Sequence, residues 1–590
     1  MTRVLRIGGA SGAWGDSIEG PIQLARSGEV DVLSFDYLAE VTMSLLARAR
    51  AKDPNAGWAT DFVDGAMRAI LPEIARQGLR VVSNAGGLNP AGCAEALRRL
   101  CEELNVPLRI AIVEGDDVLE RIDAIATTPP APSLVSANAY LGAFPIAQAL
   151  NNGAQVVITG RCVDSALPLG ACIHAFGWGP EDWDRLAAGS LAGHLIECGP
   201  QGSGGLHTDW EKVERWQDIG YPIAECRDDG SFVMTKPEGT GGLVTPAVIA
   251  EQMLYEIGDP SAYVLPDVVC DFTNVTLEQD GPHRVQVSNV HGRPRTSTYK
   301  VSATYQQGWR GVASLTIIGI DAAPKAERTA AAIVARARRR LQEARLPNFD
   351  RVHVEPLGAE AVYGPHSRAR TGREVVMRLV VDHARREAIE LFAREIGAAG
   401  ISWAPGTTGM AGRPKPMPIV RLQSLLVPKS AVPVTISYGG ERLAADVAIS
   451  GTDAPPPPLT RTSGSKFHAG DATSVPLIKL AYARSGDKGD TANIGIIARD
   501  PSFLPYIDAA LGEERVANYF AHLVKGDVMR FAVPGIHGFN FLMTGALDGG
   551  GAASPRIDPL AKGMAQMLLD LEVPVPADLA RALGSQSAHR

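Results

Sequence analysis

The chain has no excess of basic charge, no uninterrupted apolar run of membrane-spanning length and no CxxC pair, and each absence closes off a class of function. With 57 Lys and Arg against 65 Asp and Glu the formal net charge is -8, which leaves no basic field for nucleic acid and no polybasic patch for a membrane surface. No apolar stretch approaches the ~20 residues that a spanning helix needs. Residues 1–7 lack the charged-then-apolar pattern of a secretory leader, so a cytoplasmic location is expected. The seven cysteines are odd in number and suggest neither a disulfide framework nor a zinc knuckle; reduced, buried thiols are expected instead. Neither GxGxxG nor a Walker GxxxxGK[ST] is present in the glycine loops. What is there, 45% hydrophobic and 21% charged residues over 590 positions, describes a globular chain with more than one core, and a small molecule is the expected partner.

Short apolar runs at residues 4–7, 30–35, 79–82, 108–113 and 155–158 alternate with helical stretches. That rhythm predicts an α/β fold, a mostly parallel sheet with helices on both faces. In such a sheet the loops after the strands share the carboxyl edge, where ligands bind. Three of these loops are polar or glycine-rich. The first carries Gly9, Ser11, Gly12 and Gly15; the second carries Asn84, Gly86 and Gly87, with Asn89 as N-cap and Pro90 as first helical residue; the third carries Arg161 and Asp164. The glycines could let backbone amides approach a phosphate of a nucleotide or of CoA, or could simply form tight turns.

Residues 189–210 are too rich in glycine for a helix interior and too polar for a buried strand, so a shaped loop is expected there. It offers Glu197 as general acid or base, or alternatively as a cap on backbone amides. His194 and His207 lack a third ligand at helical spacing, and Cys198 lacks a visible activator, so metal and thiol chemistry are the minor readings. Thr245 and Pro246 open a helix over 247–257 that Gly258 closes. Beyond residue 264 period-two patterning predicts antiparallel strands, followed by a helix over 324–344. Arg413 and Lys415, between glycines and prolines, are either anion ligands or part of a stiff surface connection. Residues 454–474, with four consecutive prolines, read as a linker between a main domain over 1–453 and a smaller α+β domain over 475–590. In the latter, Arg484 and Lys488 sit in a dense polar loop suited to anion contact or to a domain interface.

Several of these segments, taken in order, resemble the acyclic terpene utilisation AtuA family: Arg6-Ile7-Gly8-Gly9, Gly193 to Gly199, Gly220-Tyr221-Pro222 and Glu251 to Pro260. Arg484 to Gly489, Asn493-Ile494-Gly495 and Pro534 to His537 resemble the ferredoxin-like domain often fused to it. The resemblance implies a place in the breakdown of citronellol- and geraniol-like acids as CoA thioesters, and it assigns no catalytic residue. The expectation is a catabolic enzyme, of hydratase or lyase type, acting on an acyl-CoA or branched unsaturated acid, with Glu197 or Asp164 as acid/base and Arg161 stabilising an enolate-like oxygen. No cofactor is required beyond CoA carried on the substrate, and a homo-oligomer is expected. A non-catalytic acyl-CoA-binding or scaffold subunit, and a nucleotide-dependent enzyme, are the alternatives.

Overall fold

The computed structural model describes residues 3–452 and 472–585. Six strands open the chain: β1 (Val4–Ser11), β2 (Val32–Phe35), β3 (Arg80–Ser83), β4 (Ile110–Glu114), β5 (Leu134–Ala139) and β6 (Val156–Thr159). Five of them form a parallel block in the order β1-β2-β3-β6-β4, and β5 joins another sheet. Along β2 the side chains alternate between two cores, Val32 against one and Leu33 and Phe35 against the other or its rim, as period-two geometry requires. Helices Glu19–Ser27, Arg68–Gln77 and Pro90–Glu103 cover one face. Helices Phe144–Asn151, Ala166–Phe176 and Trp183–Ile196 cover the other. Asn89 caps its helix as expected, accepting from the Gly92 amide at 2.9 Å.

The sheet as a whole is mixed rather than mostly parallel. Four antiparallel strands extend it beyond β1 and two more beyond β4, giving eleven in all. Local alternation identifies strands but not their direction, which depends on how long the connections are.

The expected loop over 189–210 is overturned in its first half, since Gly189 to Ile196 lie within the helix Trp183–Ile196. A Cβ on Gly189 would stand 2.8 Å from Leu169, and one on Gly193 2.8 Å from the Ser165 Cα. These glycines let two helices touch, so tertiary packing overrides their poor helix propensity. The helix after Thr245 runs Pro246–Leu254 and stops before Gly258, because Tyr255 turns to an extended conformation and Glu256 then adopts a left-handed φ of 59°.

The antiparallel extension is centred on one strand, Thr298–Ile318, which pairs with Met417–Pro428, Glu374–His383 and β5. The following helix, Ala322–Glu343, packs on this second sheet. Of the expected linker, residues 454–471 lie outside the described residues, and 472–474 belong to the strand Ala472–Pro476.

Downstream, four antiparallel strands in the spatial order Ala481–Lys488, Thr491–Ala498, Gly538–Met543 and Val528–Val533 enclose a further apolar core. The dense polar segment around Arg484 is therefore no loop. It is the arm of a tight hairpin, with Lys488 paired to Thr491 and only Gly489 and Asp490 between them. Gly489 has the positive φ, 65°, that such a turn demands.

Candidate functional site

The loops after the parallel strands meet at the carboxyl edge. Asp36, directly after β2, accepts from Asn84 Nδ2 at 2.5 Å, while Asn84 Oδ1 accepts from the Tyr37 amide at 2.8 Å. The Asp36 amide donates to the Ser11 carbonyl, which ties the β1 loop to the same point. From the loop after β6, Arg161 Nη1 donates to the Leu38 carbonyl at 2.8 Å and to Asp164 Oδ1 at 2.6 Å, and its guanidinium lies 4.3 Å over the Tyr140 ring. Ser11, Asn84 and Arg161 thus belong to one cluster.

Asp116, after β4, organises the Arg161 loop. Its Oδ2 accepts from the Arg161 amide at 2.9 Å and from Asn138 Nδ2 at 2.8 Å. A Cβ on Gly160 would stand 2.2 Å from Asp116 Oδ1, so only glycine fits between them. Burial pushes the Asp116 carboxyl up to about 7, against the pull of these two hydrogen bonds. Asp36 is held well above the ordinary carboxylate range by burial and then by the charge of Asp164, with Arg161 opposing.

The helix Trp183–Ile196 delivers the next pair. His194 and Glu197, three residues apart and on one face, meet with Nδ1 and Oε1 3.1 Å apart. Their side chains are 2% and 13% exposed. Burial raises the Glu197 carboxyl, against the opposing charge of His194; burial works against the charged imidazole, yet Glu197 raises it on balance. The pair therefore retains a proton to higher pH than a solvated carboxylate does. His194 Nε2 is buried without a hydrogen-bond partner among the described residues.

Gly9 and Gly12 set the position of Glu197. A Cβ on Gly9 would lie 2.2 Å from the Ile196 carbonyl oxygen, and one on Gly12 would lie 2.6 Å from the Cys198 carbonyl carbon. The amides of the first loop have partners within the protein. The Gly9 amide donates to the Pro222 carbonyl, Gly12 to Asp16 and Gly15 to Asp61, so a phosphate would meet engaged amides and carboxylates. In the second loop, Gly86 and Gly87 form a tight turn in which a Cβ on Gly86 would stand 2.5 Å from the Thr159 carbonyl oxygen.

Beside this cluster lies a cavity of about 680 Å³. Asp164, Glu197, Glu256, Tyr263 and Lys488 line its polar part, and Val163, Leu265, Pro266, Leu425 and Leu426 contribute apolar wall. Glu256 holds Lys488 Nζ at 3.1 Å and Lys562 Nζ at 3.3 Å, and these two cations keep its carboxyl low against the effect of burial. Burial and the Glu256 charge push the Tyr255 hydroxyl upward.

The other expected site residues fall elsewhere. Arg413 and Lys415 are exposed and do not line the cavity. Arg484 serves the interface reading: its guanidinium donates to the Gly205 and Leu206 carbonyls and to Gln201, and covers the Tyr255 ring at 4.8 Å. His207 is bound to Glu251 at 2.9 Å, away from His194. Burial raises the Cys198 thiol well above its ordinary range, which disfavours the nucleophilic thiolate.

Sequence reasoning missed Asp36, Asp116, Glu256 and Tyr263. Asp36 and Asp116 stand just beyond the second and fourth strands, a signal available from the strand pattern itself. Glu256 was hidden in a segment read as helix.

Among the described residues no helix is long and apolar enough to cross a membrane. No curated protein and no solved structure shows significant similarity to the chain. Two family models do match it: the acyclic terpene utilisation family protein AtuA over residues 5–438, and the AtuA ferredoxin-like domain over residues 475–574. With the greater part of its length matched by the first and the remainder largely by the second, the chain belongs to the AtuA family of acyclic terpene utilisation proteins.

Proposed function

We propose that the 680 Å³ cavity binds the acyl part of a branched unsaturated acid, carried as its CoA thioester, and that the His194–Glu197 pair moves the proton in a hydration or lyase step. The observation that carries this reading is a buried carboxyl with a raised proton affinity set in the wall of a cavity whose exposed surface is mostly apolar. Family membership supplies the terpene setting. Asp164, fixed by Arg161 at 2.6 Å, is the second carboxyl on the same wall. The reading includes action in the cytoplasm as a homo-oligomer, no cofactor beyond the CoA of the substrate, and division of the chain into domains over 1–453 and 475–590.

The test is incubation of the purified protein with the CoA thioester of geranic acid, read by mass spectrometry for gain of one water or for cleavage. Glu197→Gln keeps the shape of the side chain and one acceptor while removing the titratable proton. Turnover should fall about 10²- to 10⁴-fold with thioester binding retained. A wild type that binds the thioester but leaves it unchanged, and copurifies with another enzyme of the pathway, defeats the catalytic reading in favour of a scaffold subunit.

A further inference from the structure

One cation in the cavity wall comes from the other end of the chain. Lys488 ends the strand Ala481–Lys488, at the tip of the hairpin in the segment matched as ferredoxin-like, yet it shares a cavity with Glu197 and Asp164 of the main segment. Its placement is built. The Gly489-Asp490 turn is clamped where Asp490 Oδ1 accepts the Leu547 and Gly549 amides at 3.0 and 2.9 Å. On the same arm, a Cβ on Gly486 would stand 2.6 Å from Glu256 Cγ and 2.8 Å from the Tyr255 ring, so only glycine lets the hairpin press this close.

The charge arrangement leaves Lys488 able to turn to a ligand. Glu256 binds both Lys488 and Lys562, and Lys562 is held in addition by the Tyr255 hydroxyl. If Lys488 swings toward a developing anion in the cavity, Lys562 still neutralises Glu256, and no carboxylate is left buried and unpaired. Lys300 also lines the cavity, but its ammonium lies 5.0 Å over the Tyr140 ring. Lys488 acts electrostatically on Glu197, His194 and Tyr263 as well as on Glu256.

We propose that Lys488 is a catalytic residue that pairs with the enolate oxygen of the thioester, so that the active site is complete only when the ferredoxin-like segment is docked. This inference rests on the hydration reading given above. As water adds to Cβ of the unsaturated thioester, its oxygen forms the new C–O bond and one of its protons passes to Glu197. The C=C electron pair moves through the Cα–carbonyl bond to the thioester oxygen, where the Lys488 ammonium meets the charge. The enolate then collapses, Cα takes the proton from Glu197, and the enzyme returns to its starting state with one water added to the substrate.

The experiment compares wild type, Lys488→Met, Lys488→Arg and Lys562→Met with the CoA thioester of geranic acid in D₂O, following water addition and deuterium at Cα, with thioester affinity measured by calorimetry. Lys488→Met should lower kcat about 10²-fold or more, as loss of an oxyanion donor does, while affinity changes little. Lys488→Arg should recover part of the rate, and Lys562→Met should cost less than Lys488→Met. The Lys488 side chain is 43% exposed, so folding should survive, and unchanged thermal unfolding verifies this. If Lys488→Met unfolds the protein, the Lys488→Arg kcat decides: a shift in kcat at unchanged affinity supports the proposal, and wild-type kinetics overturns it. Wild-type kcat in Lys488→Met overturns this inference alone. A wild type that binds the thioester without water addition or exchange overturns the hydration reading and this inference with it.

Discussion

Asp116 gives a pH dependence whose size follows from its surroundings. It is 3% exposed, accepts two hydrogen bonds through Oδ2, and has its carboxyl raised from 3.8 to about 7 by burial. A carboxyl raised in the folded state binds a proton more tightly there than in the unfolded chain. Its contribution is therefore fully present below about pH 4 and is lost as pH rises through 7. At ~1.4 kcal/mol per pKa unit, the three-unit rise amounts to about 4 kcal/mol, of which roughly 2–3 kcal/mol falls between pH 5 and pH 8. Asp116→Asn with its carbonyl oxygen in place of Oδ2 keeps both hydrogen bonds and cannot titrate. The difference in Tm between wild type and this variant should therefore move against the wild type by about 2–3 °C across that range. Scanning fluorimetry at half-unit pH steps reads it, and taking the difference cancels Asp36 and the other titrating groups. Parallel Tm curves from pH 5 to pH 8 would refute the argument, since they would mean that Asp116 is as well solvated folded as unfolded.

Two further substitutions test how the site is held. Gly9→Ala drives a Cβ into the Ile196 carbonyl oxygen, a backbone atom that cannot rotate away; a loss of about 1–3 kcal/mol in denaturant unfolding is expected, with reduced turnover through displacement of Glu197. Wild-type stability in Gly9→Ala would show that the strand and helix are looser than their contact. Arg310→Met removes a guanidinium bound to both Asp382 oxygens at 2.7 and 2.8 Å and to the Ala553 carbonyl at 2.9 Å. Leaving Asp382, only 10% exposed, with the more distant Arg351 Nε at 3.9 Å should cost about 3 kcal/mol and speed proteolysis near residues 552–554. A cost under about 1 kcal/mol would show that water reaches the carboxylate.

The sequence by itself determined the elements whose signals are local. Alternating apolar runs marked all five parallel strands, because a strand buried on both faces needs an unbroken apolar segment, and Asn89-Pro90 marked a helix start through its own side-chain cap. The edge where Ser11, Asn84 and Arg161 meet followed from those strands running parallel. The antiparallel strands Ile223–Arg227 and Phe232–Thr235 beside β1, the helical state of Gly189 to Ile196 and the hairpin at Lys488 did not follow, since each depends on a partner distant in sequence. Gly189 and Gly193 are helical only because Leu169 and Ser165 occupy the space that side chains would fill. Glu256 was hidden for a related reason: its carboxylate is held by Lys488 and Lys562, both more than 230 positions away. Tertiary structure alone brought these charges together, because electrostatic pairing acts through space and leaves no periodic trace along the chain.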